Sequence, residues 1–252
     1  MSTKCNKYTY TCRRGHGVGS ASAAASAGTS TGARDENKDC EEMPAGIRGS
    51  ETTNTYTLIL LRHGESEWNA KNLFTGWVDV DLTDTGRQEA TRGGELLARS
   101  DLLPDVVHTS LLTRAIRTSQ LALEAADRQW IPVRRTWRLN ERHYGALTGL
   151  SKTEAEQQLG REMLQQYRRG YDTEPLPMKE DHPYWTGNDR RYRDLGDLLP
   201  RGESLKQCKA RILPYWYETI VPSIRARRRV SEEAHLERAF WLLLTTFCFA
   251  HE

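Results

Sequence analysis

A nearly unbroken apolar run, Tyr56-Thr-Leu-Ile-Leu-Leu61, stops abruptly at Arg62-His63-Gly64. Such a run is the mark of a strand buried on both faces, and strands of that kind belong to parallel sheets covered by helices. Asp105-Val106-Val107-His108-Thr109 and Ile131 to Trp137 read as two further strands. Thr83 to Ser100, opened by a threonine cap, and Ser110 to Ala126, rich in leucine and alanine, read as helices between them. Further helices are expected at Thr153 to Gln166 and Ser204 to Ile220. Strands alternating with helices predict an α/β fold: a doubly wound, mostly parallel sheet with helices on both faces. Ligands in such folds bind beyond the carboxyl ends of the strands, where His63 stands.

With 252 residues, 37% hydrophobic and 28% charged, the chain reads as soluble and globular, long enough to bury a sizeable core. The net charge of +2 excludes a globally basic nucleic-acid binder, so any anion site must be a local cluster of bases. Five scattered cysteines, with no C-x-x-C pair and no histidine at zinc spacing, predict a reducing compartment and no metal site. The longest apolar run, Phe240 to Ala250, is too short to span a bilayer.

Residues 1–54 differ from the rest. Gly15 to Gly32 is almost all Gly, Ala, Ser and Thr, which cannot bury enough apolar surface to offset its ordering entropy. The expectation is a disordered extension. Five bases, Lys4, Lys7, Arg13, Arg14 and Arg34, precede its first acid, Asp35, which fits a plastid or mitochondrial transit peptide and fits a plain extension equally well. Asp172 to Pro200, with four prolines and many charges, reads as a long loop of the kind that forms functional lids.

A lone histidine at a strand end is more often structural than catalytic, but His63 has company. Arg62 precedes it, Gly64 admits close backbone approach to a ligand, and Glu65-Ser66-Glu67-Trp68-Asn69 follows. A neutral imidazole held in one tautomer can attack a phosphoryl group, while guanidinium groups balance charge on the equatorial oxygens. Phe74-Thr75-Gly76-Trp77 offers a hydroxyl and backbone N–H groups for phosphate oxygens. Arg114 opens the helix that follows a strand, near the same sheet edge. Asn140-Glu141-Arg142-His143-Tyr144-Gly145 packs an acid, two bases and a phenol together. Lys152 and the pair Arg168-Arg169 complete the set.

These blocks resemble the cofactor-dependent phosphoglycerate mutases of the histidine phosphatase superfamily. The likeness runs from about Tyr56 to about Val230, so the catalytic domain is expected at 55–230. Arg-His-Gly is shared by many phosphatases; the Asn-Glu-Arg-His-Tyr-Gly block with the paired arginines is specific to the mutases. The resemblance implies that His63 is the residue phosphorylated, with 2,3-bisphosphoglycerate as donor and no metal. It implies that Glu141 handles the proton of the substrate hydroxyl. Arg62, Asn69 and Arg114 would hold the transferring phosphoryl group, and Thr75 and Gly76 would contact substrate. Tyr144, Lys152, Arg168 and Arg169 would bind the glycerate's carboxylate and its resident phosphate. Ser66 matches the mutase form of the motif, where bisphosphoglycerate synthases carry Gly. The activity implied is interconversion of 3- and 2-phosphoglycerate in glycolysis and gluconeogenesis. The implied partner is a small phosphoglycerate, with no nucleic acid or membrane, in the cytoplasm; a homo-oligomer stays open.

Past about Ser231 the family pattern is lost. The family places a second histidine after a buried apolar strand, in a sequence like Ala-His-Gly-Asn-Ser. Counting without a gap gives His235, preceded by Ser231-Glu232-Glu233 and followed by Leu236-Glu237. Two carboxylates in a central strand would be costly to bury and would repel a phosphate. His251 has a better apolar approach, Phe247 to Ala250, but is out of register. Residues 231–252 therefore read as a divergent segment, such as a frameshift or alternative exon creates, and the fold is expected to lack the family's central strand. Two other readings follow: a truncated member that only binds phosphoglycerates or a partner chain, and a phosphatase that transfers the group to water.

Overall fold

The structure, a computed structural model, describes residues 5–12, 54–231 and 240–245. The described residues 5–10, 56–231 and 240–245 belong to one compact unit. In chain order the elements are β1 (Cys5–Cys12), β2 (Asn54–Arg62), α1 (Glu67–Ala70), α2 (Asp84–Arg99), β3 (Val106–Thr109), α3 (Thr113–Ala125), β4 (Val133–Arg135), α4 (Lys152–Leu159), α5 (Arg161–Arg169), α6 (Leu205–Tyr215), α7 (Val221–Ser231) and β5 (Phe240–Thr245).

The strands order β1-β2-β5-β3-β4, with β5 parallel to both β2 and β3, and β3 parallel to β4. On β2 the period-two rule divides the side chains between two cores. Ile59 and Leu61 pack with Leu97 of α2 and Ala122 and Leu123 of α3. Leu58 and Leu60 pack on the other side with Ile212 and Tyr215 of α6 and Ile224 of α7. Helices thus cover both faces, as the alternation of strand and helix predicts. A third cluster, Phe74, Tyr144, Leu147, Ala155 and Leu164, seats α4 and α5 beside the loop that follows β4.

The expected missing central strand is not missing: β5 occupies that position, between β2 and β3. Its sequence, Phe-Trp-Leu-Leu-Leu-Thr, suits a strand between two neighbours, and it lies beyond the carboxylates Glu232 and Glu233. Its register sets Thr245 beside Arg62. His235 and His251 lie outside the described residues.

Three smaller expectations also change. Cys5–Cys12 form a strand where a structureless extension was expected; Tyr8-Thr9-Tyr10-Thr11 are strand formers, whereas the disorder signal resides in Gly15 to Gly32, outside the described residues. The single helix expected over 153–166 is two, α4 and α5, because Gly160 takes φ 77° between them. The helix expected to end at Ile220 continues through a π-helical turn, Trp216–Ile220, into α7. The threonine cap holds: Thr83 accepts a hydrogen bond from Gly86 N at 3.1 Å.

Candidate active site

The carboxyl ends of β2, β3 and β4 deliver three side chains to one place. His63 is the residue after β2, Arg114 is the second residue of α3 after β3, and Glu141 lies in the irregular segment after β4. The Nδ1 of His63 is 2.7 Å from the Gly64 carbonyl oxygen. A carbonyl only accepts, so Nδ1 carries the proton and Nε2 keeps its lone pair. Burial, Arg114 and Arg62 hold the His63 pKa down to about 3, so the ring is neutral at physiological pH.

Arg114 is fully buried. Its Nη1 donates to the Val78 carbonyl at 3.0 Å, and its Nη2 donates to the Gly76 carbonyl at 2.7 Å and to Glu141 Oε2 at 2.8 Å. Its Nε is buried with no hydrogen-bond partner among the described residues. Burial pushes the Glu141 carboxyl above its ordinary pKa, against the opposing pull of Arg114, Arg62 and a hydrogen bond with Tyr144. A carboxyl so placed keeps its proton more readily than a solvated one.

The other expected residues fall into two groups. Arg62 is exposed, and its charge acts on both His63 and Glu141. Asn69 accepts from Ser66 N at 3.2 Å and Ser66 Oγ at 2.9 Å, which occupies its amide oxygen and fixes the side chain. Thr75 is buried, and its Oγ1 has no hydrogen-bond partner among the described residues. Gly76 takes φ 56°, and a Cβ there would lie 3.2 Å from the Arg142 carbonyl. The second group belongs to α4 and α5. Lys152 Nζ donates to Asn72 Oδ1 at 3.0 Å, the half-buried Arg168 accepts from Arg142 through its carbonyl, and Arg169 is exposed.

The close approach expected at Gly64 is to the protein itself. A Cβ on Gly64 would stand 2.1 Å from the Gly86 carbonyl oxygen, so the missing side chain admits the first turn of α2. Gly64 N also donates to Thr118 Oγ1 of α3 at 3.2 Å. Helices on one face of the sheet thus hold the segment that carries His63.

Several residues of the site carry no assignment from sequence. Arg142 is buried, with Nε and Nη1 unpartnered among the described residues and Nη2 donating to the Arg168 carbonyl at 2.9 Å. Its guanidinium lies 5.0 Å from the Tyr144 ring. The signal was its place beside Glu141, in a block already rich in charge. Trp77 Nε1 donates to the Glu141 carbonyl at 2.7 Å. The expected lid, between α5 and α6, is fastened by Arg191, which pairs with Asp79 at 2.6 Å and donates to the Leu111 carbonyl. Asp79 in turn accepts from Thr113 N and Oγ1 at the start of α3.

A neutral, tautomer-fixed imidazole beside a buried guanidinium and a carboxyl of raised pKa can pass a phosphoryl group to and from an oxygen. Residues 58–183 match the family model of the histidine phosphatase superfamily, branch 1. The 2,3-bisphosphoglycerate-dependent phosphoglycerate mutase of Arthrobacter sp. (strain FB24) is 58% identical over 181 residues, covering 72% of this chain and 73% of that protein. The protein of the same name from Nocardioides sp. is 59% identical over 181 residues, with the same coverage. Among solved structures, mycobacterial hydrolase 1 superimposes with TM-score 0.51 at 23% identity, covering 75% of this chain and 74% of that one, a likeness of fold. Family model, relatives and fold agree: the chain belongs to the histidine phosphatase superfamily, within its 2,3-bisphosphoglycerate-dependent phosphoglycerate mutases.

Proposed function

We propose that this chain is a phosphoglycerate mutase of glycolysis and gluconeogenesis, interconverting 3-phosphoglycerate and 2-phosphoglycerate through a phosphohistidine at His63. The observation that carries the reading is the Gly64 carbonyl 2.7 Å from His63 Nδ1, which leaves Nε2 as a free nucleophile beside Arg114 and Glu141. The Arthrobacter and Nocardioides relatives, both phosphoglycerate mutases by name, favour this over hydrolysis.

The buried donors suit a ligand with several anionic groups. Thr75 Oγ1, Arg114 Nε and two nitrogens of Arg142 have no hydrogen-bond partner among the described residues, and buried donors of this kind call for acceptors. A bound 2,3-bisphosphoglycerate supplies the phosphoryl group that primes His63. His63 Nε2 attacks phosphorus in line, an N–P bond forms, and the P–O ester bond breaks. Glu141 gives its proton to the departing oxygen. In the return step Glu141 takes the proton of the attacking hydroxyl, and the N–P bond breaks. Arg62, Arg114 and Asn69 hold the phosphoryl oxygens throughout, and guanidinium forks match that geometry. Thr75, Gly76, Tyr144, Lys152, Arg168 and Arg169, with Arg142 added, are assigned to the rest of the substrate.

Among the described residues no helix is long and apolar enough to cross a membrane. We assign the chain to the cytoplasm because its scattered cysteines fit a reducing compartment. The test is mass spectrometry of the folded chain after incubation with 2,3-bisphosphoglycerate. The expected product is a single phosphoryl adduct on His63; a folded sample with His63 unmodified defeats the reading.

A further inference from the structure

Glu141 stands in a segment with no regular secondary structure, so neither a helix nor a strand fixes its position. Something else must satisfy the backbone there, because buried carbonyls are almost never left without donors. That something is Arg211 of α6. Its Nη1 donates to the Arg138 carbonyl at 2.7 Å, and its Nη2 donates to the carbonyls of Asn140 and Glu141, each at 2.9 Å. Its Nε donates to Glu203 Oε1 at 2.6 Å, and both side chains of the pair are buried. Glu203 closes the ring from the other end: its Oε2 accepts from His143 N at 2.8 Å, and its own N–H donates to the His143 carbonyl at 2.9 Å. Trp77 adds the hydrogen bond to the Glu141 carbonyl and lies under the Arg211 guanidinium at 5.5 Å.

We propose that the buried Glu203–Arg211 pair is the positioning device for Glu141, fixing the backbone of residues 138–143 so that its carboxyl meets Arg114 and the oxygen that exchanges with His63. The inference rests on the mutase reading and assigns to two residues of α6 and its approach a role in that reaction. Neither residue touches the substrate; both act through the loop. The pairing also explains why a cation can be used here. A lone buried guanidinium would favour the ionised form of Glu141, whereas one balanced by Glu203 holds the loop by geometry and leaves the carboxyl able to keep its proton. A planar fork is required, since one ammonium cannot span carbonyls of three residues and a carboxylate together.

The test compares two phosphoryl donors on the full chain. Transfer from 2,3-bisphosphoglycerate to His63 expels a poor leaving oxygen and needs the proton of Glu141. Transfer from p-nitrophenyl phosphate expels a good leaving group and does not. Arg211→Lys is expected to slow labelling of His63 by 2,3-bisphosphoglycerate about 10- to 100-fold, the effect of a catalytic group displaced by about 1 Å. Labelling by p-nitrophenyl phosphate should stay within about 3-fold of wild type. Equal slowing with both donors, or with neither, overturns the inference.

Glu203→Gln keeps the shape of the pair and removes its negative charge, which serves where Arg211→Lys does not fold. In that variant the pH at which labelling by 2,3-bisphosphoglycerate declines, as Glu141 loses its proton, should move downward. An unmoved decline overturns the inference. Wild-type chain that labels His63 with neither donor defeats the mutase reading itself, and is thereby told apart from a failure of the positioning role.

Discussion

Three buried histidines should make this protein lose stability well before its carboxylates titrate. Burial holds His63 and His143 down to about 3 and His108 down to about 4. For His63 the charges of Arg114 and Arg62 add to the effect, for His143 that of Arg211, and for His108 that of Arg134. Each pKa is lower in the folded than in the unfolded chain, so between the two values the unfolded chain binds more protons and acid favours unfolding. At pH 7.5 the effect is negligible. At pH 5.5 an unfolded histidine of ordinary pKa is mostly protonated, and each of the three withdraws about 1.4 kcal/mol from the folded state, together about 4 kcal/mol. Any folded pKa below about 4.5 gives the same figure, so its precision does not depend on how deep the depression runs. Glu141 works in the other direction, because a carboxyl raised by burial takes up its proton more readily when folded. The assay is urea unfolding at the two pH values, where the midpoint should fall by roughly 2 M for a slope of about 2 kcal/mol per M. Replacing His63 with Gln should remove about a third of that pH dependence. An unfolding free energy that changes by less than about 1 kcal/mol refutes the reasoning, as does an NMR titration in which the His63 ring protonates near its ordinary pKa.

Two further substitutions probe the frame of the site. Arg114→Met leaves Glu141 buried without its ion pair, which should destabilise the fold by about 3–5 kcal/mol in urea unfolding and slow His63 phosphorylation about 10²- to 10³-fold. Gly64→Ala drives a methyl toward the backbone of Gly86, which has no side-chain end to yield, so a loss of about 1–3 kcal/mol and slower phosphorylation are expected. An alanine variant with wild-type melting would contradict that packing.

The residues proposed as nucleophile, guanidinium and proton carrier were legible because each lies in or beside a short motif at the end of a strand that apolar runs betray. His63, Arg114 and Glu141 meet where three carboxyl ends meet, the edge that the alternation of strand and helix predicts for a ligand. The residues that hold them were not legible. Arg211 grips the carbonyls of Asn140 and Glu141, and no periodicity of α6 connects positions so far apart in the chain. Glu203 reads as an acid beside a helix cap until His143 N is seen against it. The central strand was hidden for another reason. The family's spacing directs attention to His235 and its acidic neighbours, while the physical signal is the apolar run from Phe240. Gly160 looked tolerable inside a helical pattern because φ cannot be read from composition.

The position of β5 governs how the molecule is assembled. Thr57 pairs with Phe240, a separation of 240 − 57 = 183 residues, and Val106 pairs with Trp241 across 241 − 106 = 135. Contacts of such long range are slow to form, because the loop they close carries its entropy loss before any bond repays it. At ordinary synthesis rates β2 emerges about 10–40 s before its partner. Through that interval β2 and β3 have open edges facing each other, a state prone to mispairing or to capture by a chaperone.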